Sequence, residues 1–242
     1  MMSIRLICLF VTSLLLTHCA AQPQAEKTSE DASYTFGQAS WGGIGKFYMG
    51  REISRVMGHL GADWLEREER EEEENVSQAI QNMQLKSDEV VADIGAGSGY
   101  YTFRVAKEVP QGKVLAVDLQ PEMLAIMREQ IKKDKIDNVE LVQAGEADPQ
   151  LPENSVDMVF MVDVYHELSH PKEVMQAVVS ALKPGGRFIL LEYRKEDPSV
   201  PIKELHKMSL EQATKEMKAV GLRLRENISN LPWQHFMVFV KE

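Results

Sequence analysis

The stretch EVVADIGAGSGYYTF, residues 89–103, constrains the fold more than any other part of the chain. An apolar run breaks into glycines at alternate positions (Gly95, Gly97, Gly99), and a helical pattern follows at once. A strand that hands over to a helix through so bare a turn predicts a βα unit. Glycine allows a ligand to lie against the main chain. The helix start behind it offers free N–H groups and partial positive charge.

The same alternation runs along the rest of the chain. VSQAIQNMQL (76–85) is amphipathic, and EVVADIG is a strand. YYTFRVAKEV predicts a helix, GKVLAVDL a strand, and PEMLAIMREQIKKD a helix with Pro121 in its first turn. NVELVQAG and SVDMVFMVDV predict strands, and PKEVMQAVVSALK a helix stopped by Pro184-Gly185-Gly186. RFILLEY follows as a strand. SLEQATKEMKAVG is a helix with Ser209 and Gln212 spaced as a capping box and Gly221 as terminator. LRLRENI and HFMVFVKE, joined only by SNLPWQ, predict an antiparallel pair. Alternating strands and helices imply a mostly parallel sheet covered on both faces, an α/β, Rossmann-like fold. The chain has 242 residues, enough for one such domain with a real core.

The N-terminal part reads differently. MMSIRLICLFVTSLLLTHCAAQ has one cation, an apolar core and small residues after it, the pattern of an export signal over 1–21. Two export readings fit it, cleavage after Ala21 or a lipoprotein signal with Cys19 acylated, and an uncleaved N-terminal anchor is the third alternative. Either export reading predicts a periplasmic or lipid-anchored protein, with membrane association only through Cys19. Both cysteines, Cys8 and Cys19, lie here, so the remaining chain has no thiol and no disulfide. Residues 22–40 read as a flexible tether. Residues 41–75 read as a helical cap, because Ile53, Val56, Met57 and Leu60 recur at helical spacing. Its glutamate-rich run, Glu66–Glu74, reads as a solvated helix surface. The domain proper is 76–242. A formal net charge of -10 without a basic stripe excludes nucleic acid as a partner.

The glycine spacing discriminates between ligands. A dinucleotide turn requires a third glycine where Tyr100 stands. Asp118 ends the second strand, where a carboxylate can accept both hydroxyls of a ribose. After the third strand, Glu146 can take an adenine amino group, and Ala147 leaves room for the ring.

The motifs VVADIGAGSGY, VLAVDLQPEML, VQAGEADPQLPENSVDMVFMVDVYHEL and ALKPGGRFILLE resemble, in this order, the class I S-adenosylmethionine-dependent methyltransferases of the small-molecule branch. The resemblance covers about 76–242. It implies a seven-stranded sheet whose last strand inserts antiparallel, and S-adenosylmethionine as cofactor. It implies cofactor contacts at Asp93, Gly95, Gly97, Asp118 and Glu146, within a set that also takes in Ala96, Gly99, Leu119, Ala147 and Asp163. Glu146 departs from the aspartate more common there. The segment WGGIGKFYMGR would then be a lid, bringing Tyr48 and Arg51 to the cofactor's methionyl end or to the acceptor.

Methyl transfer from a sulfonium needs alignment and exclusion of water, and a base only for a protonated acceptor. The cluster VDVYHELSH supplies the catalytic candidates: His166 as base, Glu167 orienting it, and Tyr165, which either joins them or packs the core. His170 is either a further candidate or the cap of the next helix. Trp233 and His235 either line an acceptor pocket or turn a hairpin. His166, Glu167 and His170 lack a fourth ligand in sequence, so no metal is expected. The expected partner is a small-molecule acceptor; oligomeric state is not legible. An exported binding protein that keeps the fold and holds a nucleoside-like ligand is the alternative expectation.

Overall fold

The structure, a computed structural model, describes residues 33–241. The leader read over 1–21, with Cys19, and most of the tether lie outside the described residues. The tether reading stops short of residue 34, because β1 (Tyr34–Phe36) already pairs with a second strand.

The segment expected to be a helical cap opens as a sheet. β1, β2 (Gly43–Tyr48) and β3 (Arg51–Ser54) form a three-stranded antiparallel sheet. The hairpin between β2 and β3 turns at Met49 and Gly50, both with positive φ (49° and 96°), the conformation of a tight primed turn. That turn and the glycines of β2 defeat the helical spacing. A strap comes next, with a 3-10 turn at His59–Gly61 and the short helices α1 (Ala62–Leu65) and α2 (Arg70–Glu74). The glutamate run is not all solvated. Glu74 is fully buried, taking Arg70, Arg67 and the Tyr193 hydroxyl as partners.

The main domain follows the predicted alternation: α3 (Val76–Asn82), β4 (Val90–Ile94), α4 (Thr102–Glu108), β5 (Lys113–Asp118), α5 (Pro121–Asp134), β6 (Val139–Gln143), β7 (Val156–Val162), α6 (Pro171–Ala181), β8 (Leu182–Arg194), β9 (Lys207–Met208), α7 (Leu210–Lys218), β10 (Leu222–Ile228) and β11 (Gln234–Lys241). The strand order is β10-β11-β8-β7-β4-β5-β6, with two-residue β9 added beside β8. β11 runs antiparallel between β8 and β10, and the other main-sheet pairings are parallel. Helix α6 ends at Ala181, before Pro184-Gly185-Gly186. Those residues instead form an irregular start to β8, where its register against β7 shifts.

Successive residues of β4 serve opposite faces of the sheet, as strand geometry requires. Val91 packs in one core with Val76, Ala79 and Val105 from α3 and α4. Ala92 and Ile94 pack in the other with Val174, Val178 and Met217 from α6 and α7. Burial on both sides explains why the strands read as continuous apolar runs. The carboxyl ends of β4, β5 and β7 converge on one rim, where a sheet of this kind binds its ligand.

Candidate active site

Two cavities adjoin at that rim. The first is about 300 Å³, the lower end of the range for ligand pockets. Its floor is Gly95, Gly97 and Asp118, with Leu119, Glu146 and Asp163 at its sides. Gly95 and Gly97 have φ of +75° and +57°. A Cβ on Gly95 would fall 2.4 Å from Val164 Cγ2, and one on Gly97 would fall 2.7 Å from Leu65 Cδ1. The turn therefore stays bare for reasons of conformation and space together.

Asp118 accepts from Gly97 N–H at 2.8 Å through Oδ2 and from Gln120 N–H at 2.8 Å through Oδ1. These bonds fix the carboxylate, and each oxygen keeps a lone pair for a further donor. Burial raises its pKa above the usual carboxylate value.

Asp93 does not reach the cavity. It is buried beneath the turn and takes the Thr102 hydroxyl of α4 at 2.6 Å. Burial pushes it up to about 7. The bond ties the end of β4 to the start of α4. Ala96, Gly99 and Ala147 also stand off the cavity wall; Gly99 lets the turn close against Phe103 and Met127. Glu146 lines the cavity with a largely exposed side chain, 4.0 Å from His170 Nδ1. His170 sits at the start of α6 beside Ser169 and lines neither cavity.

Asp163 stands between the two cavities and lines both. Its φ is +53°, which aspartate tolerates better than most residues. Gln234 Nε2 donates to its Oδ2 at 2.6 Å, and Oδ1 is buried without a partner. Burial holds its pKa well above normal, and Glu74 and Glu192 add to that.

The second cavity, about 400 Å³, is walled by Met57, Trp64, Leu65, Tyr193, Pro201 and Ile202. Arg70 and Lys203 bring positive charge, and His166, Glu167 and His206 meet at one side. His166 Nδ1 lies 2.6 Å from Glu192 Oε2, and the His166 backbone N–H donates to Oε1 of the same carboxylate at 3.2 Å. Burial lowers the imidazole pKa, but the adjacent Glu192 outweighs it and the net shift is upward. Burial pushes Glu167 up to about 7. Burial and the His166 charge bring His206 down to about 4.

Several expected contacts are corrected. Tyr165 is fully buried, and its hydroxyl donates to Glu216 at 2.7 Å, so it packs the core and faces neither cavity. Arg51 is spent on Glu216, at 2.8 and 2.9 Å, and Tyr48 is buried against Tyr34. From the expected lid segment Ile44 lines the first cavity, together with residues 54–57, from the end of β3 onward. Met57 N–H donates to Glu167, and Gln120 holds both Met57 O and His59 N–H. Trp233 ends the turn into β11, and His235 lies within β11, paired with Glu192 of β8 and bonded to Glu196. His206 and Arg70 carry no sequence signal for this site. Glu192 does carry one, as a carboxylate inside the apolar run FILLEY.

The comparisons agree with this geometry. Residues 85–237 match the family model of a methyltransferase domain. The Ubiquinone/menaquinone biosynthesis C-methyltransferase UbiE of Ectopseudomonas mendocina is 33% identical over 107 residues, 43% of this chain and 42% of that protein. The chain thus matches less than half the length of this curated relative. A SAM-dependent methyltransferase from Aquifex aeolicus superposes with a TM-score of 0.72 at 25% identity, covering 76% of this chain and 98% of its own. The trans-methyltransferase CalH, solved with SAH, shares the fold at 16% identity and a TM-score of 0.57, over 69% of this chain and 55% of its own.

The rim fits S-adenosylmethionine. The bare turn admits a nucleoside against the backbone, Asp118 keeps acceptor capacity for ribose hydroxyls, and the orphaned Asp163 oxygen suits a cationic group. The chain belongs to the S-adenosylmethionine-dependent methyltransferase family.

Proposed function

We propose that the protein transfers a methyl group from S-adenosylmethionine to a small, largely apolar acceptor held in the second cavity. When bound, the cofactor supplies a methyl activated on a sulfonium, open to in-line attack. The residues of this chain bind, orient and exclude water. Asp118 holds the ribose, the main chain at Gly95 and Gly97 bears on the nucleoside, and Glu146 reaches for the adenine amino group. The buried, unpartnered Asp163 oxygen carries the reading: its residue lines both cavities at their junction, and a cation bound beside it would offset the cost of that burial. The strap over 54–57 keeps water out. The apolar wall around Trp64 and Tyr193 supports an acceptor with a ring or hydrocarbon body.

Calorimetric titration of the protein with S-adenosylmethionine, S-adenosylhomocysteine and NAD tests this. The first two bind and NAD does not. Asp118→Ala weakens cofactor affinity by about 1.5–3 kcal/mol, the range for losing a hydrogen-bond partner that carries charge. Binding of NAD alone, or unchanged affinity in Asp118→Ala, would sink the assignment.

A further inference from the structure

We propose that His166, Glu167 and His206 form a site for a divalent metal ion of the zinc type, with an open coordination position facing the acceptor cavity. Three donor atoms converge there. His166 Nε2 and His206 Nδ1 are 3.0 Å apart, His206 Nδ1 and Glu167 Oε1 are 3.6 Å apart, and His166 Nε2 and Glu167 Oε1 are 3.9 Å apart. Among the described residues this is the one cluster of three or more such side chains with ligand atoms this close together. Bonds of about 2.0–2.2 Å around a tetrahedral ion put neighbouring ligand atoms roughly 3.3–3.6 Å apart. The observed triangle brackets that spacing, so each side chain needs only a few tenths of an ångström to close on an ion.

The surroundings are those of a ligand set. Glu192, fully buried, takes the His166 Nδ1 proton and the backbone N–H of the same residue. With Nδ1 turned to Glu192, Nε2 is the His166 ring nitrogen that faces His206 Nδ1 and Glu167 Oε1. A carboxylate behind a histidine in this way is the usual outer support of a metal ligand, fixing its tautomer and ring orientation. Glu167 is steadied in turn by the Met57 N–H at 3.2 Å. The three ligands come from two separate 3-10 turns, Tyr165–Glu167 and Glu204–His206. Two histidines and one carboxylate leave a position free, the pattern of a reactive centre and not of a closed structural one.

That position opens on the second cavity, and Glu167 also lines the first. Resting on the methyltransferase reading, the substrate class is an acceptor with an ionisable O–H or S–H. Such a group, coordinated at the free position, loses its proton to water and is held as the anion beside the cofactor cleft. The ion supplies the stabilising charge, so neither Arg70 nor Lys203 has to reach the acceptor atom.

The test uses the untagged full chain with Zn²⁺ and Co²⁺ as probes. The protein binds one equivalent of either ion, with Co²⁺ giving visible d–d bands that Zn²⁺ abolishes. His206→Ala and Glu167→Gln each remove the bands, and Glu192→Gln weakens Co²⁺ affinity roughly 10- to 100-fold. Should either first variant fail to fold, the other and the wild-type stoichiometry decide. Absence of stoichiometric binding by the wild type overturns the proposal, as does binding that survives both variants; in the first case the two histidines share only a hydrogen bond. S-adenosylmethionine titrated into the same samples separates the two readings. Cofactor binding without metal binding sinks the metal site alone, and metal binding without cofactor binding sinks the methyltransferase reading.

Discussion

Asp93 shows how far one residue's role depends on what covers it. It is buried beneath the glycine turn, and burial raises its carboxyl to about 7, with the Asp118 charge adding and Thr102 and Arg70 opposing. In the unfolded chain the same group titrates near about 3.9. Between those values the folded state holds a proton that the unfolded state has released. This contribution is therefore full at acid pH and is lost as pH rises through 7. Asp93→Asn lacks the titration. The urea midpoint of the wild type falls relative to Asp93→Asn between about pH 5 and pH 8; parallel profiles would show that the acid is ionised throughout. An acid beside the turn is legible in the sequence. Its distance from the ligand is not, because that depends on Thr102 meeting it across the start of α4. Asp118 is legible for the opposite reason: a strand end in a parallel sheet faces the ligand by topology alone. His206 is illegible, since it lies 40 residues from His166 and no periodicity links them.

At the scale of elements, the strands and helices of the main sheet are readable because local pattern and global position agree there. The N-terminal segment is not. Its helical spacing at Ile53, Val56 and Met57 conflicts with a hairpin set by Met49 and Gly50, and the hairpin wins because β1 and β3 pair with β2 on both sides. The strap after β3 is held to the rim by Gln120. That side chain accepts from His59 N–H at 2.8 Å and donates to Met57 O at 2.9 Å, while its backbone N–H serves Asp118. Gln120→Ala removes the first two bonds and leaves the third. At about 1 kcal/mol for each bond, local opening of the strap becomes roughly tenfold or more easier. Hydrogen exchange of a peptide spanning 55–61 reads this directly: exchange accelerates in the variant and slows again on adding S-adenosylmethionine. Equal rates in both proteins would show that the strap is held by something other than Gln120.

For the whole molecule, the small N-terminal sheet is tied to the main domain by polar contacts as well as by its buried Tyr48 and Ile53. Tyr34 donates to Glu173 on α6, Lys46 to the Ser169 carbonyl, and Arg51 to Glu216 on α7. Glu216 is the hinge of this arrangement. It is fully buried and also takes the Tyr165 hydroxyl and Gln212 Nε2. Among the described residues Arg51 is the one cation bonded to it, so Arg51→Ala leaves a buried carboxylate facing neutral donors only. Breaking a buried pair from one side costs about 3–5 kcal/mol, which in a chain of this size lowers Tm by roughly 10 °C. Glu216→Gln in the same background removes the stranded charge and keeps most of the hydrogen bonds, so the double variant recovers much of the loss. The pair of variants also separates two roles for Arg51. A residue that met the cofactor's methionyl end would lose affinity for S-adenosylmethionine in Arg51→Ala, and Glu216→Gln would not restore it. A residue that docks one sheet onto the other loses stability instead, and at temperatures well below the transition its cofactor affinity stays that of the wild type. Thermal unfolding of the single and double variants, with calorimetric titration at low temperature, distinguishes them; the double variant melting no higher than Arg51→Ala would refute the docking role.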